Sequence, residues 1–238
     1  MSRLGRYFLP GLPFHVIQRG NNRQPIFFAP EDYRLYLAWL GDAAAALKVK
    51  VHAYVLMTNH VHLLLTPATE SGIPRLMQRL GRLYVGHVNK TYGRTGTLWE
   101  GRYRAAPIEA DAYLLACYRY IELNPVRARV TRKPETYPWS SYGAHALGEA
   151  PSGAAGALIR DHATYLALGK DAKARQKAYR GLFRAALPRH VIDELRAATN
   201  GGWALGGDRF KAKVARAAGR RASPLPPGRP RNESEDAR

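Results

Sequence analysis

His60 and His62 are separated by Val61 alone, and the apolar, β-prone run from Val61 to Leu65 places the pair at the start of a strand. Side chains alternate across a strand, so both imidazoles reach one face, about 6 to 7 Å apart at Cα, where they can share one divalent cation. Val61 and Leu63 then point into the core and keep the pair rigid. A second set lies in Tyr118-Arg119-Tyr120-Ile121-Glu122-Leu123-Asn124-Pro125. Tyr120 and Asn124 are one helical turn apart, so phenol and amide share a face. A phenol is a weak nucleophile at its ordinary pKa of about 10, and a neighbouring cation that polarises a phosphate makes attack by Tyr120 practical. Asn124 could complete a His-His-amide shell. The same residues also admit plain roles: histidines on a polar sheet face, Tyr120 in an amphipathic core, and Asn124 as a helix cap before Pro125.

The elements that must position these residues follow from periodicity. Phe14 to Gln18 reads as a first strand closed by the turn formers Arg19-Gly20-Asn21-Asn22. From Pro30, Tyr33, Tyr36, Leu37, Leu40, Ala44 and Leu47 recur at helical steps behind Glu31 and Asp32, which suit a helix N-terminus. Val49 to Met57 and Val61 to Leu65 make a hairpin around Thr58-Asn59-His60. Ile73 to Tyr92 is an amphipathic helix with a basic outer side, Leu98 to Ile108 another strand, and Ala110 to Leu123 a helix stopped by Asn124-Pro125. The order β-α-β-β-α-β followed by a helix predicts an α+β fold of the ferredoxin-like split βαβ kind: an antiparallel sheet with two helices on one face and the other face free for a ligand. The catalytic domain is expected over residues 1 to 145. Ser152 to Gly156 reads as a linker, and 151 to 220 as a helical, basic accessory segment with helices at Ala172 to Ala186, Pro188 to Ala198 and Arg209 to Ala218. Residues 221 to 238 are expected to be a disordered tail.

Composition narrows the partner. The 238 residues carry 37 Lys+Arg against 18 Asp+Glu, a formal charge of +19, and such an excess points to a polyanion, most often nucleic acid. Residues 151 to 238 hold +10 of it and residues 1 to 150 hold +9. No apolar run is long enough to span a membrane, and the N-terminus lacks the pattern of a secretory peptide, so a cytoplasmic protein with no membrane partner is expected. A single cysteine, Cys117, rules out an intramolecular disulfide and a multi-thiolate zinc site. A nucleic-acid partner would be held by basic residues beside aromatic ones, which makes Arg19, Asn21, Asn22 and Arg23, and Trp99, Arg102, Tyr103 and Arg104, candidate contacts. In the tail, Gly228-Arg229-Pro230-Arg231 has the composition of a minor-groove arm.

Tyr54 to Leu64 with His60-Val61-His62 inside it, Leu98-Trp99-Glu100-Gly101-Arg102-Tyr103, Tyr120 to Arg127, and Trp139-Ser140-Ser141-Tyr142 stand in this order in the chain. Together with His15 to Asn21 they resemble the REP-associated tyrosine transposases, single-strand DNA transposases of the His-hydrophobic-His class, over residues 1 to about 145. Thr58 departs from the family, which usually has Pro before Asn-His. The resemblance implies a metal-dependent enzyme that cleaves and rejoins single-stranded or hairpin DNA, with Tyr120 as the nucleophile, a 5′-phosphotyrosine intermediate and a free 3′-hydroxyl. It implies Mg²⁺ or Mn²⁺ held by His60, His62 and Asn124, although better-known relatives have Gln at the last position. Related enzymes can donate the tyrosine helix to a partner's site, so a homodimer stays open. Two other readings compete: a zinc hydrolase using His60 and His62 with Glu122 or Glu109, and a non-catalytic nucleic-acid regulator on the same fold.

Overall fold

A computed structural model of the chain describes residues 5–150 and 158–225. The first six elements are β1 (Phe14–Arg19), α1 (Pro30–Ala46), β2 (Val49–Met57), β3 (His60–Pro67), α2 (Gly72–Thr91) and β4 (Arg104–Pro107). The four strands form one antiparallel sheet in the order β2-β3-β1-β4, the split βαβ arrangement. Helix α1 begins where Pro30, lacking an N–H, costs nothing, and Asp32 reaches back to accept from the backbone N–H groups of Phe28 and Ala29 at 2.8 and 3.0 Å. The same carboxylate accepts from His87 and from the Tyr92 hydroxyl, both at 2.9 Å, and so ties α1 to the end of α2. Strand alternation sends Val16, Leu56, Val61 and Leu63 to the face that these two helices cover, against Leu37, Leu40, Leu76, Leu80 and Tyr84.

The opposite face was expected to be free, and most of it is covered. Helix α3 (Ala110–Glu122) crosses it and runs on into the single turn α4 (Asn124–Arg127). Then follow α5 (Tyr142–Leu147), α6 (Ala163–Leu166), α7 (Ala172–Leu182), α8 (Arg189–Gly201) and α9 (Asp208–Ala218). Val55, Leu64 and Ala106 from the sheet share one core with Leu114, Tyr118 and Ile121 of α3, Tyr142, Tyr165, Tyr179 of α7 and Leu195 of α8. The helices beyond residue 158 therefore pack into the sheet domain, with α8 lying over β4 and β1. Apolar stripes on α3 and α8 have to be buried somewhere, and the second sheet face is where they go. That face stays open at one end only, around His60.

Two further sequence expectations change. The strand expected over Leu98 to Ile108 is confined to Arg104–Pro107, because Gly101 takes φ +111° and the chain before it makes only a single bridge from Trp99 to Gly20. Residues 221 to 225, expected to open a disordered tail that runs to 238, are instead ordered against the domain. Ala222 is buried, and its carbonyl accepts from the Ala204 N–H at 2.8 Å. The two ends of the described chain also meet: Arg220 donates to the Gly5 and Gly202 carbonyls, both at 2.7 Å, with its guanidinium 4.5 Å from the Tyr7 ring. The expected linker at 152 to 156 and the basic arm at 228 to 231 lie outside the described residues. Among the described residues, no helix is long and apolar enough to cross a membrane.

Candidate active site

The open end of the second sheet face is a cleft of about 470 Å³, and its walls come from six elements and the loops beside them. Register decides which strand residues enter it. Arg19 of β1 stands opposite His60, and Ile17 opposite both His62 and Arg104, so the four polar residues share a face. From the helical side come Tyr120, Asn124 and Arg127, spaced four and three apart on α3 and α4. In the last turn of α3, ahead of Pro125, the Tyr120 carbonyl accepts from Arg127 Nη2 at 2.6 Å. The Arg127 guanidinium lies 4.3 Å from the centre of the Tyr120 ring, close enough for a cation to act on that ring's electrons. Tyr120 is 5.7 Å from the His62 ring, and His62 is 5.1 Å from His60, both in edge-to-face orientation. One chain thus brings together the histidine pair, the phenol and the amide that the sequence singled out.

Burial favours the neutral form of both imidazoles. Burial, aided by Arg19 and Arg127, pushes His60 down to about 4, and burial also pushes His62 well below the usual histidine value. Asn59 donates through Nδ2 to the Arg23 carbonyl at 2.9 Å, so its Oδ1 accepts from His60 Nδ1 at 2.7 Å. His60 Nε2 is then left with a lone pair, and the Asn124 amide lies beside this ring. His62 Nδ1 is engaged by His15 Nε2 at 2.9 Å. Two neutral imidazoles and an amide oxygen on the wall of an open cleft suit a divalent cation that keeps further positions for water and phosphate oxygen. Among the described residues, no group of three or more His, Cys, Asp and Glu side chains could hold a metal ion, so a site here depends on the amide as third donor.

The carboxylates weighed for zinc chemistry are placed elsewhere. Glu122 is fully buried and turned away, accepting from Ser141 and Tyr179 at 2.6 Å and pairing with His145 at 2.7 Å. Glu109 takes the Gly207 N–H at 2.7 Å. Of the expected DNA contacts, Arg19, Arg23, Arg102 and Arg104 line the cleft, while Asn21 does not. Trp99 is a correction. Its ring is only 8% exposed and packs 6.2 Å from Tyr84, so it presents no face for a base to stack on. Arg23 reaches the wall because Asn22 and Arg23 take the left-handed region at φ 49° and 58°. Gly20 permits that turn, since a Cβ there would meet the Gln24 carbonyl at 2.4 Å. Arg127, Arg196, Asn200 and Glu100 on the wall, and His15 behind it, escaped the sequence reading. Only Arg127 carried a signal, seven residues beyond Tyr120 on the same helical face.

A split βαβ sheet with a His-x-His pair and a tyrosine in an arginine-walled cleft defines a class of protein built to handle a phosphate backbone. Residues 9–124 match the family model described as IS200-like transposase. Among solved structures, the chain is similar to a REP-associated tyrosine transposase bound to a REP hairpin, with 18% identity, 69% of this chain and 96% of that chain covered, and a TM-score of 0.50. It is also similar to a candidate transposase from Deinococcus radiodurans R1, with 22% identity, 49% and 92% covered, and a TM-score of 0.35. No curated protein matches the chain.

Proposed function

We propose that the protein cleaves and rejoins single-stranded DNA at this cleft through a covalent tyrosine intermediate. The observation that carries the reading is the placement of Tyr120 over His60 and His62 in one cleft of one chain. The Tyr120 phenolic oxygen attacks the scissile phosphorus, the bond from phosphorus to the 3′-oxygen breaks, and the products are a 5′-phosphotyrosine and a 3′-hydroxyl. Attack by a 3′-hydroxyl on the phosphotyrosine reverses the step and joins DNA without an outside energy source. A divalent cation held by His60, His62 and Asn124, Mn²⁺ suiting the nitrogen donors and Mg²⁺ the phosphate oxygens, would polarise the phosphate and offset its charge. Arg127, pulled down to about 10 by burial and so still charged at neutral pH, stands over the Tyr120 ring, where its charge can offset that of the attacked phosphate. Arg19, Arg23, Arg102, Arg104 and Arg196 hold the backbone on either side. The fold likeness to a protein bound to a REP hairpin supports a hairpin substrate. All of these groups come from one chain, which favours action in cis over a donated tyrosine helix.

Incubation with end-labelled hairpin DNA and Mn²⁺ or Mg²⁺ is expected to leave a protein–DNA adduct that survives denaturation, and Tyr120→Phe is expected to abolish it while DNA binding persists. An adduct formed by Tyr120→Phe, or none by the wild type under either metal, overturns the reading.

A further inference from the structure

The hydrogen-bond chain behind His62 does not end at His15. On the far side of that ring, His15 Nδ1 meets Thr199 Oγ1 at 2.8 Å, and Thr199 Oγ1 donates to the Leu195 carbonyl one turn back on α8 at 2.9 Å. His15 and Thr199 are wholly buried and His62 is 3% exposed, so water does not compete for these positions. The two imidazole planes lie within 9° of parallel. Thr199 and α8 lie outside the matched family domain, which ends at residue 124.

Counting protons along this chain gives it a direction. A hydroxyl has one hydrogen, and the Thr199 hydrogen is committed to the Leu195 carbonyl, so toward His15 this oxygen can only accept. His15 must then carry its hydrogen on Nδ1 and present a lone pair at Nε2. His62 Nδ1 has to donate into that lone pair, and the remaining lone pair of His62 sits on Nε2, on the ring that lines the cleft. We propose that Thr199 is a positioning residue for the catalytic centre, setting through His15 the tautomer in which His62 offers Nε2 to a divalent cation. Helix α8 is thereby part of the active site, and the same helix adds Arg196 and Asn200 to the cleft wall. The opposite direction would put a hydrogen on His62 Nε2 and close that position to any cation. His60 reaches the same state by a separate route through Asn59, so the two ligands are oriented by independent hydrogen-bond chains.

The inference rests on the reading that His60 and His62 hold a cation, and the test keeps the two apart. Long-range ¹H–¹⁵N correlation of the histidine rings in the metal-free wild type is expected to show His62 protonated on Nδ1 alone. A hydrogen on His62 Nε2 overturns the proposal with no variant needed. In titration calorimetry with Mn²⁺, Thr199→Val, which keeps the shape and loses the acceptor, is expected to bind about tenfold more weakly, with Thr199→Ser restoring wild-type affinity. Unchanged Mn²⁺ affinity in a folded Thr199→Val protein overturns the relay. If Thr199→Val does not fold, the wild-type spectrum decides the matter. His60→Ala binding Mn²⁺ as the wild type does would overturn the ligand reading itself, whereas loss in His60→Ala with none in Thr199→Val overturns the relay alone.

Discussion

Arg127 concentrates the chemistry of one residue type. Its side chain donates to the Tyr120 carbonyl, and its charge lies over the Tyr120 ring. Arg127→Met keeps the length of the stem and removes the cation, and the first-order rate of adduct formation is expected to fall about 100-fold, with hairpin affinity falling much less. A rate within a fewfold of wild type would remove Arg127 from the chemistry. The residues that sequence reading found share a property: their spacing within one element is informative. His60 and His62 by strand alternation, and Tyr120 and Asn124 by helical turn, are recognisable without tertiary knowledge. His15 is not, because its value comes from standing diagonally across from His62 in a pairing that only strand register supplies. Trp99 failed for the reverse reason: an aromatic beside arginines has the composition of a stacking platform, and packing against Tyr84 removed it.

Among the elements, α3 serves two sites at once. Tyr120 faces the cleft, and two residues later Glu122 faces the interior, where it gathers Ser141, His145 and the Tyr179 hydroxyl of α7. A buried carboxylate has to be fully hydrogen-bonded, so this knot fixes the axial position of α3 and with it the reach of Tyr120. Tyr179→Phe removes one donor and fills the same space. It is expected to cost about 1 to 3 kcal/mol in urea unfolding, and a change below about 0.5 kcal/mol would mean that the knot does not hold the helix. The order of strands and helices was readable because each carries its own period, and the boundaries of α1 and α2 follow the caps at Pro30 and the end near Tyr92. The short β4 was hidden by apolar residues that look strand-like and bury as a loop; Leu98 is 1% exposed without belonging to a strand. Coverage of the second face could not be read, since an amphipathic helix does not say which surface receives its stripe.

Across the whole molecule, the charge of +19 becomes a specific wall. Six arginines and Glu100 surround the cleft, and if each arginine neutralises one phosphate, affinity for a single strand should fall with log salt at a slope of about −4. Fluorescence anisotropy with Tyr120→Phe protein and a labelled hairpin, over roughly 50 to 200 mM salt, measures it, and a slope shallower than about −1 would place the DNA elsewhere. The path of the chain adds a matter of timing. His15 is separated from Thr199 by 184 residues, and at usual synthesis rates the ribosome needs roughly 10 to 40 s to cover that distance. The first strand is made early and its last partner late, so a nascent chain displays His60, His62 and Tyr120 well before α8 arrives to orient them. On the proposed relay, the last-made part of the molecule completes a site whose other residues are in place long before it.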